Sequence, residues 1–175
     1  ITPVQILWVN MVTAVTLALA LAFEPSETNI MQRPPRSRGL GLITGALLYR
    51  VLMVGSLGAA TVFVLFRWEL GQSGDTDLAR SLAVNALVMF EIFYLLSARR
   101  LRDAIWHKHY WRGLTPSVWA VSLVLVFQLA FTYAPPMQAI FASVSLPASH
   151  WLLMLLVTSP ILLLVELEKG LARSR

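Results

Sequence analysis

One carboxylate stands where carboxylates are costly. Glu91 lies inside the apolar run Val88-Met89-Phe90-Glu91-Ile92-Phe93-Tyr94-Leu95-Leu96-Ser97. A charge at mid-span costs about 2.5–3.5 kcal/mol on insertion scales, so an acid there marks a functional site by default. Asn10 and Thr13, within the uncharged run from Pro3 to Phe23, add two neutral oxygens three residues apart, hence on the same helical face. Hard cations take such oxygens together with carboxylates, which makes Asn10, Thr13 and Glu91 the candidate cation ligands. Each has a structural reading as well. Polar side chains between membrane helices form hydrogen bonds worth about 0.6 kcal/mol on average, and a protonated glutamate can bond a neighbouring helix. Thr16, Ser56, Asn85 and Gln128 fit that packing role better than a ligand role. Glu166 and Glu168, beside Lys169 at a helix end, suit a solvated or paired one. Arg50 either snorkels or pairs with an acid.

The elements that carry these residues are membrane spans. At 57% hydrophobic and 13% charged residues, with mean hydropathy +0.69, 175 residues cannot hide their apolar side chains inside a soluble globule. Five helices are expected, at about 4–23, 41–66, 78–98, 117–134 and 149–166, each near the ~20 residues that cross a bilayer. The expected fold class is all-α, a polytopic membrane helix bundle. A soluble bundle would need polar faces, and the runs 117–134 and 149–165 carry no charge on any face. Gly41-x-x-x-Gly45, and Gly55 with Ala59, give the second span a small-residue face for close helix packing. With no cysteine, disulfides and thiolate metal sites are excluded.

Basic residues set the orientation. Eleven lie on one side: Arg33, Arg36, Arg38, Arg99, Arg100, Arg102, Lys108, Arg112, Lys169, Arg173 and Arg175. Two, Arg67 and Arg80, lie on the other, diluted by Glu69, Asp75 and Asp77. The asymmetry places the C-terminus and the 24–40 and 99–116 loops in the cytoplasm. Pro34-Pro35 stiffens the first of these loops; Gly71, Ser73 and Gly74 make the outer turn between spans two and three. The aromatic and basic residues Trp106 to Trp111 read as an interfacial anchor, and the net charge of +5 as topology; no nucleic-acid partner is expected. No signal peptide is evident, and the chain begins at Ile1 as though cut from something longer.

The run Pro3-Val4-Gln5-Ile6-Leu7-Trp8-Val9-Asn10-Met11-Val12-Thr13, followed by Ile30-Met31-Gln32-Arg33-Pro34-Pro35-Arg36, resembles the sixth membrane helix and following loop of P-type cation-transporting ATPases, the calcium-pump-like branch in particular. That family reads Pro-Val-Gln-(Leu/Ile)-Leu-Trp-Val-Asn-Leu-Val-Thr-Asp-Gly and then Met-x-(Arg/Lys)-Pro-Pro-Arg. The segment around Glu91 is similar to the eighth helix of calcium-type pumps, where a glutamate binds the ion; Tyr94 stands in place of an asparagine. Trp151 through Pro160 to Glu166 and Lys169 looks like the tenth helix.

The resemblance implies that 1–175 is the C-terminal transmembrane domain of a pump, helices six to ten. Asn10, Thr13 and Glu91 match its cation-coordinating positions. The expected partners are the transported cation, the lipid bilayer, and the remaining helices and cytoplasmic domains of the same pump. ATP and Mg2+ are expected for the intact pump and no cofactor for this fragment, which has no Asp-Lys-Thr-Gly-Thr phosphorylation sequence and should not hydrolyse ATP alone. The expected location is a bacterial cell membrane.

This chain departs from the motif at Ala14-Val15, where the family has Asp-Gly, and at Leu17, where it has Pro. A carboxylate ligand is missing, which favours a proton or monovalent ion, and the first span should stay continuously helical. Two other classes remain open. A stand-alone structural or regulatory membrane subunit would have a start codon in the genomic sequence upstream of Ile1, whereas a pump would have its motifs in frame there. A small secondary transporter would need inverted halves, and no repeat is visible.

Overall fold

The computed structural model describes residues 1–23, 45–98 and 114–173. The 24–40 loop, the anchor at 106–111 and Gly41 fall outside the described residues. Among the described residues seven helices occur, in the order α1 (Pro3–Ala22), α2 (Gly45–Ser73), α3 (Thr76–Ala98), α4 (Leu114–Tyr133), α5 (Pro135–Phe141), α6 (Ala148–Thr158) and α7 (Pro160–Arg173). No strand is present among the described residues. Four stretches are long and apolar enough to cross a bilayer: Leu47–Ser73, Thr76–Ala98, Thr115–Tyr133 and Ala148–Glu168. α1, at 20 residues, measures about 30 Å at 1.5 Å per residue. The molecule is a helical integral membrane bundle.

Local chemistry explains the boundaries. α1 opens with a capping box: Gln5 Oε1 accepts from Thr2 N–H at 2.9 Å, and Thr2 Oγ1 accepts from Gln5 N–H at 3.3 Å. Pro3 occupies the first helical position, where its missing N–H costs nothing. The helix then runs unbroken past Ala14, Val15 and Leu17, as their propensities require. α2 continues seven residues beyond the expected end at 66, and Glu69 in this extension turns inward onto His150 while Arg67 and Trp68 stay exposed. The turn is confined to Gly74, whose φ of 68° is a left-handed conformation glycine adopts freely. Asp75 then caps α3, its Oδ1 accepting from Asp77 and Leu78 N–H at 2.8 and 3.1 Å.

The expected fifth span is one path in two helices. Pro160 has no N–H to give Leu156, so α6 stops at Thr158 and α7 restarts at Pro160. Ser159 Oγ instead donates to the Leu156 carbonyl at 3.4 Å. Between α4 and α6 the short α5 was not foreseen; Pro135 and Pro136 begin it, and Ala142 ends it in the left-handed region.

α3 is the wall on which everything else leans, with buried residues on every side from Ala79 to Ser97. One flank holds α1, α4 and α5, through Trp8, Val9, Val12, Val84, Val88, Val124 and Phe131. The other holds α2, α6 and α7, through Leu65, Leu82 and Met154 and, further along, Val54, Phe90, Ile161 and Val165. The close approach of α2 to α3 falls at Gly58, not at the expected glycines. A Cβ on Gly58 would lie 3.0 Å from the Phe90 ring, whereas Gly45 and Gly55 face open space.

Candidate functional site

Glu91 lies on α3 where α1 and α2 flank it. The Thr13 side chain lies beside the Glu91 carboxyl, while its own Oγ1 donates to the Val9 carbonyl at 2.8 Å. Thr13 is buried; Glu91 is partly so, yet its Oε2 is buried and has no hydrogen-bond partner. An orphan carboxylate oxygen in an apolar interior is an unfilled ligand position or an unpaired cost.

The same carboxylate lines a groove of about 390 Å³ walled by Val54, Gly55, Gly58, Ala59, Leu87, Phe90 and Tyr94. A second cavity of about 390 Å³ continues it toward Ile1, sharing Ala59 and Leu87 and lined otherwise by Val62, Phe63, Phe66 and Ala83. The two share walls of α2 and α3, and among the described residues Glu91 is the one with a charged side chain lining them.

The structure thus brings Glu91 and Thr13 together and leaves Asn10 apart. Asn10 is exposed, about 60° further round α1 than Thr13 at 100° per residue. Three-residue spacing puts two side chains on adjoining faces, and here the edge of the buried stripe passes between them. Ala14, where the motif has its carboxylate, is exposed and supplies no side-chain oxygen.

The other polar side chains are satisfied locally or between helices. Thr16 donates to the Val12 carbonyl and Ser56 to the Met53 carbonyl at 3.0 Å. Between α1, α3 and α4, Trp8 Nε1 donates to Gln128 Oε1 at 3.4 Å and Thr132 Oγ1 to Asn85 Oδ1 at 3.1 Å. Gln128 Nε2 is buried there without a partner.

Two side-chain pairs tie α2 to the C-terminal helices. Arg50 pairs with Glu168 at 2.6 Å, so the arginine finds an acid and does not snorkel. His150 Nε2 lies 2.7 Å from Glu69 Oε2, with Glu69 only 3% exposed. Nothing in composition marks the second pair. The signal is spacing: nineteen residues separate Arg50 from Glu69 and eighteen separate His150 from Glu168, so antiparallel spans match opposite charges at both ends. Near His150, Trp151 Nε1 donates to Tyr133 OH at 2.8 Å, and Tyr133 OH to the Leu146 carbonyl at 2.6 Å. With Trp68 they make an aromatic belt at that end of the bundle.

Comparison with known proteins supplies what geometry alone does not. Residues 1–171 match the family described as "Cation transporting ATPase, C-terminus". A probable cation-transporting ATPase F of Mycobacterium tuberculosis is 39% identical over all of this chain and 19% of its own length. The cation-transporting ATPase pma1 of Synechocystis is 32% identical over 89% of this chain and 18% of its own length. The calcium-transporting ATPase type 2C member 2 of Mus musculus is 34% identical over 98% and 18% respectively. The chain spans about a fifth of the length of these relatives. A helical membrane bundle with an acid in its central helix, matched over residues 1–171 by the family model, belongs to the cation-transporting ATPase C-terminal family.

Proposed function

We propose that this chain is the C-terminal transmembrane domain, residues 1–175, of an ATP-driven cation pump, and that Glu91 and Thr13 contribute to its ion-translocation path. The observation that carries the reading is the Glu91 carboxylate, held against Thr13 with its second oxygen buried and unpartnered. Lipid cannot solvate such a group, whereas a cation with further oxygen ligands can. The groove over α3 and the exposed Asn10 are completed by the remaining helices of the same pump. Phosphorylation and dephosphorylation elsewhere, with ATP and Mg2+ bound outside this chain, switch these helices between inward-open and outward-open states. The C-terminus lies in the cytoplasm, on the eleven-to-two distribution of basic residues, and the likeness to the Mycobacterium tuberculosis and Synechocystis relatives favours a bacterial cell membrane. A stand-alone structural or regulatory subunit is less well supported, because the matched family region is the C-terminal part of pumps.

The test is Glu91→Gln in the full-length protein. Lowered cation-stimulated ATPase activity or ion affinity with expression retained is the expected result. Unchanged ion dependence would reduce Glu91 to a packing residue.

A further inference from the structure

Tyr94 stands one turn after Glu91 on α3, and both side chains line the same groove of about 390 Å³. Residues three apart on a helix are neighbours, so the phenol hydroxyl and the carboxylate share one wall. Tyr94 is the one hydroxyl-bearing side chain lining that groove. Its neighbour Glu91 has a buried oxygen, Oε2, that accepts from nothing. The Thr13 hydroxyl nearby donates to the Val9 carbonyl. Among the described residues lining the groove, Glu91 thus carries an unused acceptor and Tyr94 the hydroxyl donor.

Charge count points the same way. Glu91 is the one carboxylate lining the groove, and Ala14 brings none from α1. A divalent hard cation collects six or more oxygens, commonly with several carboxylates, and phenols are not among its usual ligands. A phenol next to a carboxylate instead gives a charge-assisted hydrogen bond.

Resting on the pump reading above, we propose that Tyr94 is a specificity-determining residue for the charge of the transported ion. In the assembled site its hydroxyl donates to Glu91 Oε2, leaving one carboxylate oxygen for the ion. The half-site built by this chain then favours a singly charged cation over a divalent one.

The experiment measures ATPase stimulation of the purified full-length protein by Na+, K+, Ca2+ and Mn2+, in wild type, Tyr94→Phe, Tyr94→Asn and Glu91→Gln. Wild type should respond to a monovalent ion. Tyr94→Asn, which exchanges a donor for a carbonyl ligand, should raise apparent Ca2+ affinity relative to Na+ about tenfold, the scale of one hydrogen bond to a charged group. Tyr94→Phe keeps the ring and frees Oε2, so it should shift the ratio the same way by less; should Tyr94→Asn fail to express, Tyr94→Phe decides. An unchanged ratio in the Tyr94 variants, with Glu91→Gln altering cation dependence, overturns the proposal and leaves the site standing. A wild type stimulated by Ca2+ or Mn2+ but by neither monovalent ion also overturns it. No effect of Glu91→Gln defeats the pump-site reading itself.

Discussion

Arg50 and Glu168 meet at a single oxygen: Glu168 Oε2 accepts from Arg50 Nη2 at 2.6 Å and from Nε at 2.8 Å. The pair joins the start of α2 to the far part of α7, and both side chains are mostly buried, 14% and 18% exposed. Breaking it should cost about 2–3 kcal/mol, the range for hydrogen bonds to charged groups. Thermal unfolding in detergent of Arg50→Met, Glu168→Gln and the double variant tests this. The double variant should lose less than the sum of the singles, and additive losses would show that the contact contributes nothing.

At the other end, His150→Ala removes the partner of a carboxylate that is 3% exposed. Leaving a buried acid without its hydrogen-bond partner costs about 1–3 kcal/mol, more than Glu69→Leu together with His150→Leu, which removes both polar groups. Melting temperatures ranking the single variant above the double would contradict this.

Two glycines of one helix should answer alanine oppositely. Gly58→Ala drives a Cβ to 3.0 Å from the Phe90 ring, and overpacking of this kind costs about 1–3 kcal/mol. Gly55→Ala meets nothing within 4 Å and should stabilise by about 0.4–1 kcal/mol by restricting the unfolded chain. Equal melting points for the two variants would refute the packing described.

Ala142 has φ 49° and ψ 43°, a left-handed conformation that costs an L residue about 1–2 kcal/mol. Ala142→Gly should raise stability by somewhat less than that, and Ala142→Val should lower it. The same detergent melts read both changes, and a destabilised glycine variant would count against the turn.

Topology is testable because the chain has no cysteine. Ser37→Cys and Ser73→Cys should label from opposite sides of sealed vesicles. Labelling of both from one side would end the orientation derived from basic residues.

Hydropathy made the spans legible because lipid imposes one constraint on every residue of a run. Ends and breaks were harder, since they depend on single contacts. Whether Glu69 extends α2 depends on His150, 81 residues away, and no local pattern encodes that. The break at Pro160 follows from a missing N–H, yet hydropathy reads smoothly through it. For the site, burial cost singled out Glu91 and motif position singled out Thr13, and the two do meet. Asn10 stands apart from Thr13 because a helical face is wide, and the bundle interface described covers only part of it. Gly58 was overlooked in favour of Gly55 because the sequence does not say which glycine meets Phe90.

The leg formed by α6 and α7 is fastened to α2 near both extremities, by His150 and by Glu168, and interrupted between them at Pro160. A rod pinned at its ends and jointed at its middle behaves as an elbowed strut. Its bend can change while its feet stay put, and the eighteen residues between the pins span about 27 Å, close to the thickness of the hydrocarbon layer. Flexing is thereby concentrated at mid-membrane, where Met154 and Ile161 press on α3. A push there reaches the helix that carries Glu91 without loosening either surface of the bundle.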